Sequence, residues 1–318
     1  VEVAEPTSVG VSIVVPLYNE RENIAPLHDA LLRAVANIDR RVEILLVNDG
    51  SADGTREAVN ALAAKDPSIR ALHFRRNFGQ TAALQAGIEY ARGEVVVMMD
   101  GDLQNDPEDI PALLAKLDEG YDVVSGWRQR RRDAFLSRVL PSAIANRIIS
   151  LVSGVHLHDY GCTLKAYRRS VLKDVRLYGE MHRFIPIYCS WLGGKVTEMP
   201  VNHRARTRGK SKYGAERIAK VILDLVMIRF MASYQTRPIH FFGGLGIISI
   251  LLSAPATLYA LWLKFFSGIG LTRTPLLLLA AMLIILGVMF IVMGILAEMI
   301  IRVYYETQDK KPYVLHDE

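Results

Sequence analysis

Apolar and polar positions alternate in blocks along the first 126 residues. Val11–Val15, Val42–Val47, Ile69–Phe74, Val95–Met99 and Tyr121–Ser125 are short, mostly apolar runs bounded by turn residues, as expected of strands buried on both faces. Between them, Glu22–Asn37, Gly54–Lys65, Thr81–Ala91 and the stretch from Asp106-Pro107 to Glu119 read as helices. The last opens on an Asp cap with Pro in the first turn. Such alternation predicts an α/β domain with a mostly parallel sheet and helices on both faces. The pattern then loosens. Phe135–Ser153 has helical spacing of its apolar residues, for packing on the core or lying in a membrane interface. Cys162–Tyr167 reads as a strand, and Ala215–Ala232 as a second amphipathic helix along a membrane surface.

From Ile239 the text changes. Residues 239–263 contain no acidic or basic side chain except His240, and residues 275–297 contain none. Each span exceeds the ~20 residues a helix needs to cross a bilayer. A transmembrane hairpin is predicted, with spans 239–263 and 275–299 and Pro255 kinking the first. The chain then divides into an α/β domain (1–213), a juxtamembrane helix (214–237), the hairpin (238–301) and a tail (302–318).

Charge adds orientation. Arg229, Arg237, Arg302, Lys310 and Lys311 flank one side of the hairpin, against Lys264 and Arg273 in its loop, so the large domain and both ends are expected in the cytoplasm. Residues 1–6 lack a basic or apolar leader, and no secretory signal is expected. The two cysteines, Cys162 and Cys189, have no CxxC spacing and His156, His158, His182 and His203 are scattered; neither zinc nor a disulfide is expected. The net charge of +5 over 318 residues suits anionic lipid headgroups. No nucleic-acid signature appears, and no nucleic-acid partner is expected.

Candidate chemistry gathers at strand ends. Asp100-Gly101-Asp102-Leu103-Gln104 follows the Val95–Met99 run and offers two carboxylates and an amide. Oxygen ligands of this kind suit Mg²⁺ or Mn²⁺, and such a cation suits a diphosphate. Pro16-Leu17-Tyr18-Asn19-Glu20 and Asn48-Asp49-Gly50-Ser51 end two other strands. Each cluster alone reads equally as a turn. In a parallel sheet all three converge on the crevice where ligands bind. Asp49 is placed to accept hydrogen bonds from a nucleobase or ribose, with Gly50 and Gly54 permitting the turn behind it.

Together with Arg76-Asn77-Phe78-Gly79-Gln80, these three clusters resemble the donor-site motifs of family 2 glycosyltransferases with the GT-A fold. Arg206-Thr207-Arg208-Gly209-Lys210-Ser211-Lys212-Tyr213, followed by a membrane hairpin, resembles the polyisoprenyl-phosphate glycosyltransferases within that family. The resemblance implies that Asp102 and Gln104 hold the metal. It implies that Asp100, Gly101 and Asp49 face the nucleotide, and that Pro16, Leu17, Tyr18 and Glu20 line the base pocket. It assigns Arg128, Arg138, Arg206, Ser211 and Lys212 to the acceptor phosphate; Arg130–Arg132 read as a basic surface near lipid. Asp159 matches a position with a catalytic part in some relatives, which makes Asp159, Asp102 and Arg206 the catalytic set. A phosphomonoester acceptor has a second pKa near ~6 and is already nucleophilic. Asp159 is therefore not needed as a base; orienting an arginine, contacting a sugar hydroxyl or excluding misplaced acceptors are its open roles.

The implied function is metal-dependent, inverting transfer of one sugar from a nucleotide sugar, expected to be a UDP-sugar, to a polyprenyl phosphate at the cytoplasmic membrane face. A homo-oligomer is a further implication. Two alternatives stand beside it. A processive polysaccharide synthase would need a Gln-x-x-Arg-Trp motif and several more spans, and Trp127, Trp191 and Trp262 stand outside such a motif. A non-catalytic nucleotide-binding scaffold would tolerate degenerate metal ligands, whereas Asp102 and Gln104 are intact.

Overall fold

Long buried apolar strands need cover on both faces, and the sheet that forms has it. The computed structural model describes residues 9–129, 140–173, 175, 177, 181–204, 230 and 237–307. They belong to two units, one within residues 1–225 and one within residues 226–318. The first is built on seven strands: β1 (Val11–Leu17), β2 (Val42–Asn48), β3 (Ile69–His73), β4 (Val95–Met98), β5 (Val123–Trp127), β6 (Lys165–Arg168) and β7 (Val196–Pro200). Their order is β3-β2-β1-β4-β6-β5-β7. β6 runs antiparallel to β4 and β5, and every other pair is parallel. The sheet is mostly parallel, as expected, but it does not close at Ser125. β6 inserts between β4 and β5, and β7 adds an edge. β7 escapes a reading by apolar runs because Val196-Thr197-Glu198-Met199-Pro200 alternates and has no fully buried residue.

The helices are α1 (Ile24–Val35), α2 (Thr55–Ala63), α3 (Gln80–Tyr90), α4 (Ile110–Asp118), α5 (Leu140–Ser153), the short α6 (Arg169–Leu172) and α7 (Ile185–Trp191). Alternate residues of β1 feed two apolar layers. Ile13, Val15 and Leu17 join Leu27 and Leu31 of α1 and Leu113 and Leu117 of α4. Val14 joins Leu84 and Ile88 of α3 and Ile185 and Cys189 of α7. Asp106 caps the turn before α4, its Oδ1 accepting from Glu108 N at 3.3 Å. Both cysteines are free and buried.

α5 is the described part of the expected 135–153 helix. Its Ile149 and Ser150 are buried, whereas Leu151 is 72% exposed. Through Asn146, which donates to His158 O at 2.7 Å, it supports the turn that carries Asp159. Residues 135–139, the expected helix 215–232 apart from Phe230, and residues 308–318 lie outside the described residues.

The second unit holds α8 (Pro238–Phe266) and α9 (Leu276–Thr307), two helices long and apolar enough to cross a membrane. α8 includes Pro255 in its interior. The helices cross closely where Gly246 meets Gly287; a Cβ on Gly287 would stand 2.7 Å from Gly246 O. Ser249 Oγ donates to Leu283 O at 2.8 Å beside this crossing. Their outward residues, among them Leu251, Leu258, Leu278 and Ile285, are exposed and apolar.

One packing contact of the first unit sets the seat of α3. A Cβ on Gly87 would lie 2.1 Å from Val14 Cγ1, in the buried layer between α3 and β1. Gly87→Ala is expected to destabilise this unit by about 1–3 kcal/mol through overpacking. A denaturant titration of the full-length protein followed by near-UV circular dichroism checks this; an unchanged midpoint would contradict the close seat.

Candidate active site

Three strand ends form the site floor. Past β1 the chain turns at Asn19, held at φ +54°. Asn19 N donates to Ser51 Oγ at 2.9 Å, and Asn19 Oδ1 accepts from Ala52 N at 3.0 Å. Glu20 N donates to Thr55 Oγ1 at 3.0 Å, and the Glu20 carboxylate accepts from Asn23 Nδ2 at 2.5 Å. The ends of β1 and β2 are thus stitched side by side. The end of β4 folds over them: a Cβ on Gly101 would lie 2.4 Å from Leu17 Cδ2 and 3.3 Å from Pro16 O. The convergence of Pro16–Glu20, Asn48–Ser51 and Asp100–Gln104 is therefore real.

Asp49 organises the loop before α3. It is 3% exposed. Its Oδ1 accepts from Phe78 N at 2.7 Å, and its Oδ2 from Gly79 N at 2.9 Å and Asn77 Nδ2 at 3.0 Å. These bonds occupy three of roughly four acceptor directions of the carboxylate. Gly50, at φ +65°, lies against Arg76, whose carbonyl carbon would be 2.2 Å from an added Cβ; a side chain there is excluded twice over. The spacing of Asp49 from residues 77–79 in the sequence carries no sign of this clamp.

Asp100 ties the parallel half of the sheet to the antiparallel insert. Its Oδ1 accepts from Gln80 Nε2 and its Oδ2 from Thr163 Oγ1, each at 2.7 Å. Asp102 is 9% exposed, and its Oδ1 accepts from Gln104 N at 3.1 Å across Leu103 at φ +61°. The segment after β7 covers this loop. Asn105 and His203 form an antiparallel bridge, and Arg204 N donates to Gln104 O at 2.9 Å. The Arg204 guanidinium also donates to Asp106 Oδ2 at 2.5 Å. Among the described residues no cluster of three His, Cys, Asp or Glu side chains could hold a metal on its own. A single loop carrying Asp102 and Gln104 does fit a cation whose other ligands are water and phosphate oxygens, as is usual for Mg²⁺.

Arg128 and Asp159 form a bidentate pair. Arg128 Nε donates to Asp159 Oδ2 at 2.7 Å and Nη2 to Oδ1 at 3.0 Å. Gly161 N also donates to Oδ1, at 3.0 Å. Asp159 is 2% exposed. Burial disfavours the Arg128 cation, but the hydrogen bonds and charge of Asp159 outweigh it and raise its pKa above the ordinary value. Of the open roles for Asp159, orienting an arginine is the one seen. Of the other residues assigned to the acceptor, Arg138, Arg206, Ser211 and Lys212 lie outside the described residues.

The structure adds contacts that no motif assigned. Gln80 and Thr163 hold Asp100. His182 Nδ1 lies 2.7 Å from Thr81 Oγ1. Burial, then the charges of Arg183 and Lys165, push the His182 pKa down to about 3. Lys165 is 2% exposed and donates to Tyr160 O at 3.0 Å; burial lowers its pKa to about 8. A buried lysine in the middle of a strand has no signature in sequence.

Two outcomes test this geometry. Asp159→Asn leaves Arg128 without its counter-charge and is expected to destabilise the fold by about 3–5 kcal/mol; a chemical denaturation curve matching the wild type would refute the pair. His182 stays neutral in the folded chain down to about pH 3, whereas the unfolded chain protonates it near 6.5. Its contribution to stability is intact above pH 6.5 and falls as pH drops through that window. The difference in stability between wild type and His182→Gln, measured by denaturation from pH 7 to pH 4, should shift in favour of the variant as pH falls; a constant difference would contradict the burial.

Comparison with known proteins shows the family. The profile of Glycosyl transferase family 2 matches residues 12–176. The chain is 44% identical over 317 residues to the dodecaprenyl-phosphate galacturonate synthase of Rhizobium johnstonii, covering 97% of this chain and 92% of that protein. It is 34% identical over 313 residues to the undecaprenyl-phosphate 4-deoxy-4-formamido-L-arabinose transferase of Shewanella sediminis, covering 96% and 92%. Among solved structures, glucosyl-3-phosphoglycerate synthase from Mycobacterium tuberculosis, in complex with Mn²⁺, UDP and glucosyl-3-phosphoglycerate, superposes with a TM-score of 0.54 at 18% identity, covering 70% of this chain and 80% of that one. Mannosyl-3-phosphoglycerate synthase from Rubrobacter xylanophilus does so at 0.56 and 18% identity, covering 70% and 74%. These two likenesses concern the fold alone. With polar clusters at the ends of a mostly parallel sheet and two candidate transmembrane helices later in the chain, the chain belongs to glycosyl transferase family 2 and is a glycosyltransferase of the GT-A fold.

Proposed function

We propose that this enzyme transfers one sugar, with inversion, from a UDP-sugar to a polyprenyl phosphate at the cytoplasmic face of a membrane. The observation that carries the reading is the acidic loop Asp100–Gln104, fixed by Gln80, Thr163 and Arg204 at the parallel strand ends with the Arg128 guanidinium in electrostatic reach of Asp100. Near-full-length similarity to transferases named for dodecaprenyl and undecaprenyl phosphate supports the lipid acceptor. A fold neighbour binds UDP with Mn²⁺, in line with a nucleotide donor. The two apolar helices support membrane attachment.

Asp102 and Gln104 would hold Mg²⁺ or Mn²⁺, which when bound offsets charge on the diphosphate. Pro16–Glu20 and Asp49 border the nucleotide side of the crevice. Arg128 is assigned to the acceptor phosphate, and Asp159 fixes its fork for bidentate contact. Arg206, two residues beyond Arg204, is assigned to the same phosphate, with Arg138, Ser211 and Lys212. The acceptor dianion attacks the anomeric carbon as the diphosphate departs, and no side chain need remove a proton. Two sugar classes compete, a uronic acid as in the galacturonate synthase and an uncharged-ring sugar as in the formamido-arabinose transferases.

Purified full-length protein in detergent, given UDP-sugars, a short polyprenyl phosphate and Mn²⁺, should release UDP and form a lipid-linked sugar. Chelation should stop both. Asp102→Ala should reduce turnover by at least about 100-fold, the scale of a lost charge-stabilising group, with the denaturation midpoint little changed. Nucleotide binding without transfer from any donor would favour the scaffold alternative, and unchanged turnover in Asp102→Ala would refute its metal role.

A further inference from the structure

A second set of charges lies beside the acidic loop and is not used by the diphosphate or the acceptor. Lys165 pairs across the sheet with Met98 on β4 and Ser125 on β5. Met98, Val123 and Tyr167 enter the layer covered by α3 and α7, and the two-residue period of a strand sends Lys165 to the same face. Lys165 stands two residues after Thr163, which holds Asp100. Above it, the turn Met181–Phe184 brings His182 onto Thr81, the neighbour of Gln80, which holds Asp100 from the other side. Arg183 follows directly. The three groups Lys165, His182 and Arg183 are within electrostatic reach of one another.

No carboxylate lies within ion-pair distance of Lys165 among the described residues. Asp159, the acid in electrostatic reach of Lys165, is already paired with Arg128 through both oxygens. His182 remains neutral and adds no charge. A buried ammonium without a carboxylate partner is costly, and a ligand that brings a carboxylate offsets that cost. A neutral sugar brings hydroxyls only. Thr163 and Gln80 set these groups beside Asp100, which the transferase reading places on the nucleotide side, near the donor sugar.

We propose that Arg183 and Lys165 form the subsite for a carboxylate on the donor sugar, so that the enzyme transfers a hexuronate. Arg183, the more accessible of the two, contacts the carboxylate, and Lys165 supplies fixed charge behind it. The proposal rests on the transferase reading above and narrows it to one sugar class.

The experiment compares UDP-galacturonate and UDP-glucuronate with UDP-galactose and UDP-glucose, using the full-length protein, a short polyprenyl phosphate and Mn²⁺. At least one uronate donor is expected to exceed its neutral counterpart in kcat/KM by about 100-fold, the scale of one charge-assisted contact. Arg183→Gln should lose most of that preference, with neutral-donor turnover changed only a few-fold, and Lys165→Met should reduce it less. Calorimetric binding of the four nucleotides to the wild type gives a readout that needs no variant, and the uronate should bind more tightly. Equal or better use of the neutral donors would overturn the hexuronate proposal while leaving the transferase reading intact. So would an Arg183→Gln variant that loses all donors equally. No transfer from any donor would overturn both.

Discussion

The carboxylate of Asp100 is the junction on which the site depends. One oxygen takes the amide of Gln80 at the start of α3, the other the hydroxyl of Thr163 just before β6. α3 belongs to the parallel half of the sheet, and β6 is the antiparallel insert. Without that bridge the loop Gly101–Gln104 would lack a fixed origin, since its own closure rests on one turn bond from Asp102 and an unusual backbone at Leu103. The segment after β7 then closes the far side through Arg204 and Gln104. A loop proposed to hold a metal needs this kind of external support, because two ligands on a flexible turn lose affinity to disorder.

Charge explains the rest of the layout. The proposed reaction must hold two anions, acceptor phosphate and leaving diphosphate, close together. Fixed cations achieve that only if they do not collapse onto nearby acids. Asp159 is committed to Arg128 side-on, through Nε and Nη2, which leaves other guanidinium donors for the phosphate proposed to bind there. A buried pair of this geometry is weak evidence for stability. It serves better as orientation, and it sits where orientation is needed, on a turn braced by α5 through Asn146 and His158.

Much of the first half of the chain was legible because strands buried on both faces write themselves as apolar runs, and β1 to β5 appear where such runs lie. The edge strand β7 was not legible, since Val196–Pro200 alternates and is only partly buried. The place of β6 between β4 and β5 was not either: strand alternation carries no information on an antiparallel insertion. At the site, Asp49, Asp100 and Asp102 were legible as residues but not in their contacts. Asp49 proves to be the clamp of residues 77–79, and that pairing spans 28 to 30 positions. Lys165 and His182 were not legible because a charge inside a strand, or a histidine among scattered histidines, gains meaning only from what packs on it. The hairpin was the opposite case. Its apolar text is nearly uninterrupted, and the close crossing at Gly246 and Gly287 leaves apolar side chains facing outward.

The commitments of the acidic residues also bear on the chemistry. A general base must have a lone pair aimed at the proton it removes. Asp159 has both oxygens in hydrogen bonds to Arg128 and Gly161, and lies buried beside a cation. Asp100 is bridged, and Asp49 is clamped. Their oxygens are committed to these donors. For an alcohol acceptor this would be a defect, because the hydroxyl must lose its proton as it attacks. For a phosphate acceptor it is an advantage: the nucleophile arrives ionised, and a free carboxylate in the same recess would repel it. The commitment of Asp49, Asp100 and Asp159 to these donors therefore suits an anionic nucleophile.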